Sequence, residues 1–424
     1  MIGSGPITNS VPSRSGRLDW LPADAPRSLA ILLVVATLAR LAGFWSPGHG
    51  GDLFAFVSWA EDAARHGLGA YYANGGDSNY PPMLYLLWPL GAALDGGELV
   101  FAIRLLSIPF DLALGAVLFQ VGRTAGRDRD GLLAAAFYLL NPAVLMTGPN
   151  WGQVDGMGAL PMVGAIVAVV RGRVALAGAL AVLAGLLKPQ FGIAALVLAG
   201  LALFWLRSPD GWLRSAAGVR RAALLALSML VTFGIVLVPL GLEPLGYLEL
   251  MGDTLRRYPY ISQYGFNPWG MVFGFGEVDG AWFALGTALA IAGTAGSLWL
   301  LRRRRDLTGL LAVGVLIGLA LYYLPTRVHE RYLFGAIALL APLAALEPRL
   351  RWPFGALSTV FFLTLAYVVV TSPYRILPGP QVAEYPDWAI SIMSAIATAI
   401  GGWTAARVLG VFGIGARTPE AERG

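Results

Sequence analysis

Long apolar runs recur along this 424-residue chain, and each approaches the length that a helix needs to cross a bilayer. A transmembrane helix takes about 20 predominantly apolar residues, and backbone groups inside a bilayer must be satisfied within helices or closed barrels. The runs start near Ser28, Leu99, Gly131, Met157, Val174, Phe191, Ala222, Ala281, Leu307, Tyr332, Phe354 and Trp388. We therefore predict an all-α, polytopic membrane bundle of about 12 transmembrane helices with a long outer first loop.

Charged residues are scarce and no cysteine is present. They make up 13% of the chain, against about a quarter in soluble domains. The net charge of +5 is spread over short connections, which disfavours nucleic-acid binding. The absence of cysteine excludes disulfides, thiolate catalysis and cysteine metal sites. We expect one transmembrane domain, residues 28–413, between a disordered cytoplasmic tail, 1–27, and a second cytoplasmic tail, 414–424.

Arginine placement predicts the orientation of the helices. Residues 81–94 are apolar but short and contain Pro81, Pro82 and Pro89, so we treat them as an interfacial or re-entrant piece of the first loop. With the N-terminus inside, the positive-inside rule is then satisfied by five cytoplasmic connections. These are residues 123–129, 171–173, 207–221, 302–305 and 349–351.

The same topology places the unusual polar segments on the outer face. They are residues 51–83, 150–156, 188–190, 241–280, 327–331 and 372–387. Arginines on the outer side run against the positive-inside rule and are costly unless they have a role. Arg256, Arg257, Arg327 and Arg331 are therefore candidates for binding an anion.

Asp52 is the candidate catalytic acid of the first loop. It follows two glycines at the outer end of the first helix, where a carboxylate can be partly desolvated and still reach a substrate hydroxyl, as a general base must. Glu61 and Asp62 fit a short amphipathic surface helix in which both acids face water. We expect His49 and His66 to be solvated loop residues.

Two further outer segments carry candidate binding residues. Asp155 lies at a helix start, where it would either cap the helix or bind substrate, and Trp151 and Gln153 offer a ring face and an amide for a sugar. Lys188 lies at a helix boundary. A buried ammonium there requires a phosphate or carboxylate partner, and the alternative is a side chain that snorkels to the outer surface.

The segment Arg327-Val328-His329-Glu330-Arg331 is the strongest candidate for phosphate binding in the C-terminal half of the chain. Two guanidinium groups flank an imidazole and a carboxylate, which suits a phosphate and the charge that it carries as it leaves. A structural ion-pair network would also explain this pattern. Arg256-Arg257 in the large outer loop is a second candidate phosphate clamp.

These residues together resemble the GT-C superfamily of integral-membrane glycosyltransferases, which use sugars linked to lipid phosphates. The likeness rests on Asp52, Tyr80-Pro81-Pro82, Trp151-Gly152-Gln153-Val154-Asp155-Gly156, Lys188-Pro189-Gln190 and His329-Glu330-Arg331-Tyr332-Leu333, within residues 29–342. They look most like the Gpi18-like mannosyltransferases and are also similar to the dolichyl-phosphate-glucose glucosyltransferases. The resemblance implies that Asp52 is the base and that Lys188, His329 and Arg331 engage the donor phosphate.

We accordingly expect an inverting glycosyltransferase in the plasma membrane of a prokaryote. It would move one hexose, mannose before glucose, from a polyprenyl-phosphate donor to a lipid or glycan acceptor on the outer face. The donor-phosphate set is Lys188, Arg256, Arg257, Arg327, His329 and Arg331, and the sugar or acceptor set is Tyr80, Trp151, Gln153, Asp155, Gln190 and Glu330.

No metal and no other cofactor is expected, because Asp52 stands between Gly51 and Leu53, whereas family members with paired acids have two adjacent carboxylates. Two other classes of membrane protein are the alternatives to a glycosyltransferase that moves one hexose. A lipid-linked sugar flippase or transporter should carry ionisable residues near mid-membrane and often has repeated halves. A polysaccharide polymerase or ligase would use an arginine-rich outer loop and would need no acid at Asp52.

Overall fold

The structure, a computed structural model, describes residues 25–206, 215–371 and 387–414, and α-helices build the fold within these ranges. In chain order they are α1 (Ala25–Ala42), α2 (Gly50–His66), α3 (Pro81–Ala93), α4 (Gly96–Leu105), α5 (Ser107–Thr124), α6 (Asp128–Leu139), α7 (Pro142–Leu145), α8 (Asp155–Val170), α9 (Val174–Leu187), α10 (Ile193–Trp205), α11 (Ala216–Leu237), α12 (Pro244–Arg257), α13 (Pro268–Phe273), α14 (Trp282–Trp299), α15 (Leu307–Tyr323), α16 (Phe334–Leu346), α17 (Arg351–Thr371) and α18 (Asp387–Leu409). The predicted all-α class is confirmed.

Six of the helical stretches are long and apolar enough to cross a membrane. They are Ala25–Trp45, Gly96–Thr124, Ala216–Leu240, Trp282–Arg302, Pro348–Thr371 and Asp387–Phe412. A bent pair, Asp128–Leu139 with Pro142–Asn150, would make a seventh, with a bend of 49°. All twelve predicted runs form helices, but α9, with 14 residues, and α16, with 13, are too short to span by themselves. The expected number of about 12 spans is therefore not confirmed.

Several predicted segments fall partly or wholly outside the described residues. Helix α1 begins at Ala25, which places the last three residues of the expected N-terminal tail inside a helix. Residues 1–24 and 415–424 of the two tails are not described, and neither are residues 372–386 of the last outer segment.

The first polar segment begins as a helix, which corrects the expectation of a loop around Asp52. Helix α2 buries Leu53, Phe56 and Trp59 and turns Glu61 to solvent, so the predicted amphipathic helix is present. Helix α3 packs against α2 so closely that a Cβ atom on Gly91 would lie 2.3 Å from the Ala60 carbonyl oxygen. With 13 residues α3 is about 20 Å long and does not reach across a bilayer.

The arginine-bearing connections meet at one end of the bundle. Arg127 donates to the Leu346 carbonyl, Arg303 to the Phe412 carbonyl, and Arg304 lies 3.8 Å from Glu347. Helix α8 runs from this end, at Val170, to Asp155, a length of about 24 Å. The polar segments that carry the candidate site residues therefore lie at the opposite end.

Candidate active site

Asp52 lies in the first turn of α2, and one of its oxygens accepts hydrogen bonds from Trp151 and Arg331, in separate parts of the chain, and lies beside His49. Its Oδ2 atom lies 2.7 Å from Trp151 Nε1, 2.9 Å from Arg331 Nη1 and 3.1 Å from His49 Nδ1. The other oxygen, Oδ1, lies 3.5 Å from Arg331 Nη2. The side chain remains 23% exposed. Asp52 is thus fixed in direction and still accessible.

The charge state of Asp52 follows from this environment. Burial raises the pKa of Asp52, but Arg331 and the contacts with His49 and Gln153 outweigh burial and hold this pKa well below its ordinary value. Asp52 is therefore ionised at neutral pH. The same ion pair raises the pKa of Arg331: burial lowers it, and the charges of Asp52 and Glu330 more than compensate.

The loop that presents Trp151 is held by a buried arginine of α4. Arg104 Nε and Nη2 lie 2.9 and 2.6 Å from the Pro149 carbonyl oxygen, and Nη2 lies 2.6 Å from the Ser46 carbonyl oxygen. These bonds join the segment before Asp52 to the segment before Trp151. The His49 amide donates to the Trp151 carbonyl at 2.7 Å, and the two rings stack with centroids 5.1 Å apart.

Trp151 itself is fully buried, with 0% of its surface exposed. Its ring is covered by the His49 ring and by the Arg331 guanidinium, whose carbon lies 5.0 Å from the ring centroid. The expected contact between this ring and a sugar is therefore not what the structure presents. Trp151 instead orients Asp52 through its indole N–H.

Lys188 forms a buried ion pair with Asp155. Its Nζ atom lies 2.7 Å from Asp155 Oδ1 and 2.6 Å from Gln153 Oε1, and the Tyr80 ring centroid lies 5.3 Å away. Burial lowers the pKa of Lys188, and the Asp155 carboxylate opposes that effect. Of the two expected environments for Lys188, an anionic partner or the outer surface, the structure shows the anionic partner, the Asp155 carboxylate. Lys188 does not snorkel, and no capping hydrogen bond is found at the start of α8.

Arg331 connects this pair to Asp52. Its Nη1 atom lies 3.0 Å from Glu330 Oε1 as well as 2.9 Å from Asp52, and its Nε atom lies 4.0 Å from Asp155 Oδ2. That Asp155 oxygen is buried without a hydrogen-bond partner. One guanidinium thus lies among three carboxylates, with Lys188 as the second cation of the cluster.

His329 lies beside this cluster and is positioned by the segment of residues 241–280. The His329 backbone forms isolated β-bridges with Gln263 and Tyr264. Its ring packs edge to face against the Tyr258 ring, with the ring centroids 5.1 Å apart. Burial lowers the pKa of His329, Glu330 raises it and Arg331 lowers it, so that the pKa is below its ordinary value. The imidazole is therefore neutral at neutral pH.

The other predicted phosphate ligands have partners elsewhere. Arg256 pairs with Asp253 on the exposed side of α12, and Arg257 lies 3.1 Å from Asp77. Arg327, whose backbone is left-handed with φ 61°, donates to both oxygens of Asp279. Gln190 is half-buried in the short helix Pro189–Phe191 that follows Lys188.

Three features of the site were missed in the sequence. His49 is not a solvated residue: its side chain is 13% exposed and it caps α2, whereas His66 is exposed as expected. Arg104, and Arg40 with its partner Asp111 at 2.9 Å, are buried within helices below the site. The signal was present, because an ionisable residue inside an apolar run is a functional candidate by default.

Gly156, at the end of the Trp151–Gly156 motif, packs so closely against the buried Asp111 that no side chain fits there. A Cβ atom on Gly156 would lie 2.1 Å from Asp111 Oδ1. Tyr138 donates to the same oxygen at 2.6 Å. The start of α8, and with it Asp155, therefore rests directly on the Arg40–Asp111 pair.

Comparisons with solved structures found an archaeal oligosaccharyltransferase at low sequence identity. The apo crystal structure of the Archaeoglobus fulgidus oligosaccharyltransferase has a TM-score of 0.49 at 12% identity, over 95% of this chain and 59% of that one. A structure of the same archaeal enzyme, AglB, in complex with an inhibitory peptide and a dolichol-phosphate has a TM-score of 0.43 at 14% identity, over 92% and 56%. This chain thus spans about three fifths of that enzyme's length. No curated protein matches.

A family model, Glycosyltransferase family 87, matches residues 79–325. The matched region extends from the end of the first polar segment through α15 and contains Trp151, Asp155 and Lys188. The match confirms the membrane glycosyltransferase that the resemblance to the GT-C superfamily implied. Because it covers more than half of the sequence, the chain belongs to glycosyltransferase family 87.

Proposed function

We propose that this glycosyltransferase moves one hexose, mannose before glucose, from a polyprenyl-phosphate donor to a hydroxyl of a lipid or glycan acceptor on the outer face of the membrane. The observation that carries the proposal is the contact of Asp52 with Arg331. It joins a partly exposed carboxylate to a cation at the end of the bundle opposite the arginine-bearing connections. These are the two charges that proton removal and phosphate departure require.

Asp52 is the proposed general base. Its Oδ2 atom accepts hydrogen bonds from Trp151 and Arg331, while Oδ1 makes the longer, 3.5 Å contact with Arg331. We therefore assign Oδ1 as the oxygen that accepts the proton of an incoming hydroxyl. The acceptor oxygen attacks the anomeric carbon as the bond to the phosphate breaks. The proton goes to Asp52, and the electron pair of the broken bond stays on the departing phosphate. A single displacement of this kind inverts the anomeric centre.

Arg331 is the proposed ligand of the leaving phosphate, with neutral His329 donating a hydrogen bond beside it. In the structure Arg331 is shared between Asp52 and Glu330. A bound phosphate competes for this guanidinium and weakens its pairing with Asp52, which raises the pKa of the base. The base then becomes stronger when the donor is in place, since a pKa nearer the working pH favours proton transfer.

The structure also changes the roles that we propose for the other residues. Lys188 is already paired with Asp155, so it orients Gln153 and Asp155 and adds positive potential without contacting the phosphate directly. Arg327 holds the 327–331 segment through Asp279. Tyr80, Gln190 and Glu330 remain the proposed sugar or acceptor contacts. Arg256 and Arg257, which are exposed, would meet only the outermost part of a substrate.

Donor class is tested with the purified protein in lipid vesicles. We expect transfer from polyprenyl-phosphate mannose in excess EDTA and none from GDP-mannose. Polyprenyl-phosphate glucose, assayed in parallel, reports the sugar preference. Strict dependence on added Mg²⁺ or Mn²⁺, or transfer from the nucleotide sugar, would overturn the proposed donor. The anomeric configuration of the product, read by NMR, must be opposite to that of the donor.

A further inference from the structure

Helix α12 has three distinct faces. It follows α11, which is long and apolar enough to cross a membrane. One face packs against the protein and contains Tyr247, Leu250 and Met251. A second face is charged and exposed and contains Glu249, Asp253 and Arg256. The third is apolar and exposed: Leu245 is 71%, Leu248 63% and Leu255 46% exposed. At 3.6 residues per turn these three leucines fall within an arc of about 80°.

This leucine stripe follows closely in the chain after the lipid-facing residues of α11. Leu230, Ile235 and Val238 of that span are 71%, 66% and 72% exposed, as expected for side chains that contact acyl chains. The chain then turns at Gly241, whose φ of 66° is left-handed and whose Cβ position would lie 2.5 Å from the Gly69 carbonyl oxygen. A short turn, in which Glu243 is exposed, therefore separates the exposed apolar residues of the span from those of α12.

The second half of the same outer loop shows the same character. Val272 is 64% and Val278 66% exposed, and Trp282, at the start of α14, is 44% exposed. The Trp282 ring packs 6.0 Å from the Trp269 ring. Tryptophans are enriched where the bilayer meets water, and the exposed Trp282 ring suits that level, whereas Trp269 is buried beside it.

We propose that α12 lies on the bilayer surface on the side of the candidate site, with Leu245, Leu248 and Leu255 inserted among the lipid acyl chains and Glu249 and Asp253 in water. An amphipathic helix with a separate polar face binds a membrane in this orientation. The occupant of the stripe is lipid and not a second protein, because the stripe begins one short turn after a candidate membrane span whose exposed side chains are apolar.

The helix is attached to the site at its C-terminal end. Arg327 Nη1 lies 2.9 Å from the Leu255 carbonyl oxygen, Arg257 lies 3.1 Å from Asp77, and the Tyr258 ring contacts His329. The depth of α12 in the bilayer therefore fixes the level of the 327–331 segment. Arg331 and His329 are held where a lipid headgroup phosphate would lie.

The test uses the full chain in vesicles and the absence of native cysteine. Spin labels on Leu248→Cys and, as the matched control one residue away, Glu249→Cys report collision with oxygen, which concentrates in lipid, and with a water-soluble nickel chelate. We expect the oxygen-to-nickel ratio to be several-fold higher at position 248 than at position 249. Equal exposure of both labels to the nickel chelate would overturn the proposal.

Two other outcomes would also overturn it. Protection of the Leu248→Cys label from both reagents, with spin–spin broadening, would show a second copy of the chain on the stripe. Protection without broadening would show coverage by the protein itself. If Leu248→Cys does not fold, Leu245→Cys provides the same comparison. The readout does not involve sugar transfer, so its result is independent of the proposed function.

Discussion

Arg331 Nη1 lies 2.9 Å from Asp52 Oδ2, although 279 residues separate the two in sequence. The contact joins the start of the first polar segment to the end of the last described one. Both side chains are mostly buried, 12% and 23% exposed, so removal of Arg331 would deprive the Asp52 carboxylate of this cation, whereas removal of Asp52 leaves Arg331 paired with Glu330. Substitutions at and around this pair can distinguish its chemical role from its structural role.

Replacement of the proposed base, Asp52→Asn, should lower turnover by about a hundredfold or more. The amide cannot take the acceptor proton, while Arg331 keeps Glu330 as a partner, so the protein should still fold and bind donor. Initial rates and donor binding measure the two effects. Glu61→Gln and Asp62→Asn, on the same helix, are the controls and should lower turnover only slightly. A near-normal rate for Asp52→Asn would transfer the role of base, with Asp155 as the next candidate.

The orienting role of Trp151 is tested by Trp151→Phe, which keeps a ring but removes the 2.7 Å bond to Asp52. A hydrogen bond to a charged group contributes about 1.5–3 kcal/mol, so kcat should fall by about tenfold or more. Since the ring is fully buried, the KM for the acceptor should change little. A raised KM at unchanged kcat would instead favour direct contact between Trp151 and substrate.

The Lys188–Asp155 pair should be essential for stability because it is almost completely buried, with side chains 3% and 0% exposed. Either single change, Lys188→Met or Asp155→Asn, should cost about 3–5 kcal/mol, and the double variant less than the sum. Thermal unfolding in detergent measures the cycle. Asp253→Asn, in the exposed pair with Arg256, is the control and should cost about 1 kcal/mol or less. Additive losses in the double variant would contradict a coupled pair.

His329 should make stability depend on pH. Burial lowers the pKa of His329 in the folded protein below the unfolded value of about 6.5, so the unfolded chain binds the proton more readily. This contribution to stability is complete above about pH 6.5 and is lost as the pH falls through the folded pKa. The unfolding temperature of the His329→Gln variant should therefore differ less between pH 7.5 and pH 5.5 than that of the wild-type protein. His66→Gln, at an exposed position, should retain the wild-type difference.

Orientation in the membrane is tested with single cysteines at exposed positions on the two ends of the bundle. Ala73→Cys lies on the side of Asp52, and Arg173→Cys lies among the arginine-bearing connections. If the site faces outward, an impermeant thiol reagent should label Ala73→Cys in intact cells and should label Arg173→Cys only after lysis. The reverse pattern would place the site inside the cell and exclude the proposed face.

Local patterns in the sequence predicted the helices and the residues that meet at the site, but not their pairing. The positive-inside rule grouped Asp52, Asp155, Lys188 and Arg331 at one end, and the structure brings all four together. Which carboxylate each cation meets depends on how α2, α8, α9 and the 327–331 segment pack, and that is a tertiary property. The role of His49 was missed for the same reason, since its partners Trp151 and Asp52 define it.

The grip of Arg104 on the Pro149 and Ser46 carbonyls has a consequence for how a substrate enters. Through these bonds, the segments that lead to His49, Asp52 and Trp151 are both attached to α4. We therefore expect this side of the site not to move independently of that helix. On the opposite side of the site, Tyr258 and His329 lie just outside helices and Arg331 lies in the short helix Glu330–Leu333. We therefore expect the base to keep its place when a lipid-borne sugar enters, and the phosphate ligands to make whatever adjustment entry requires.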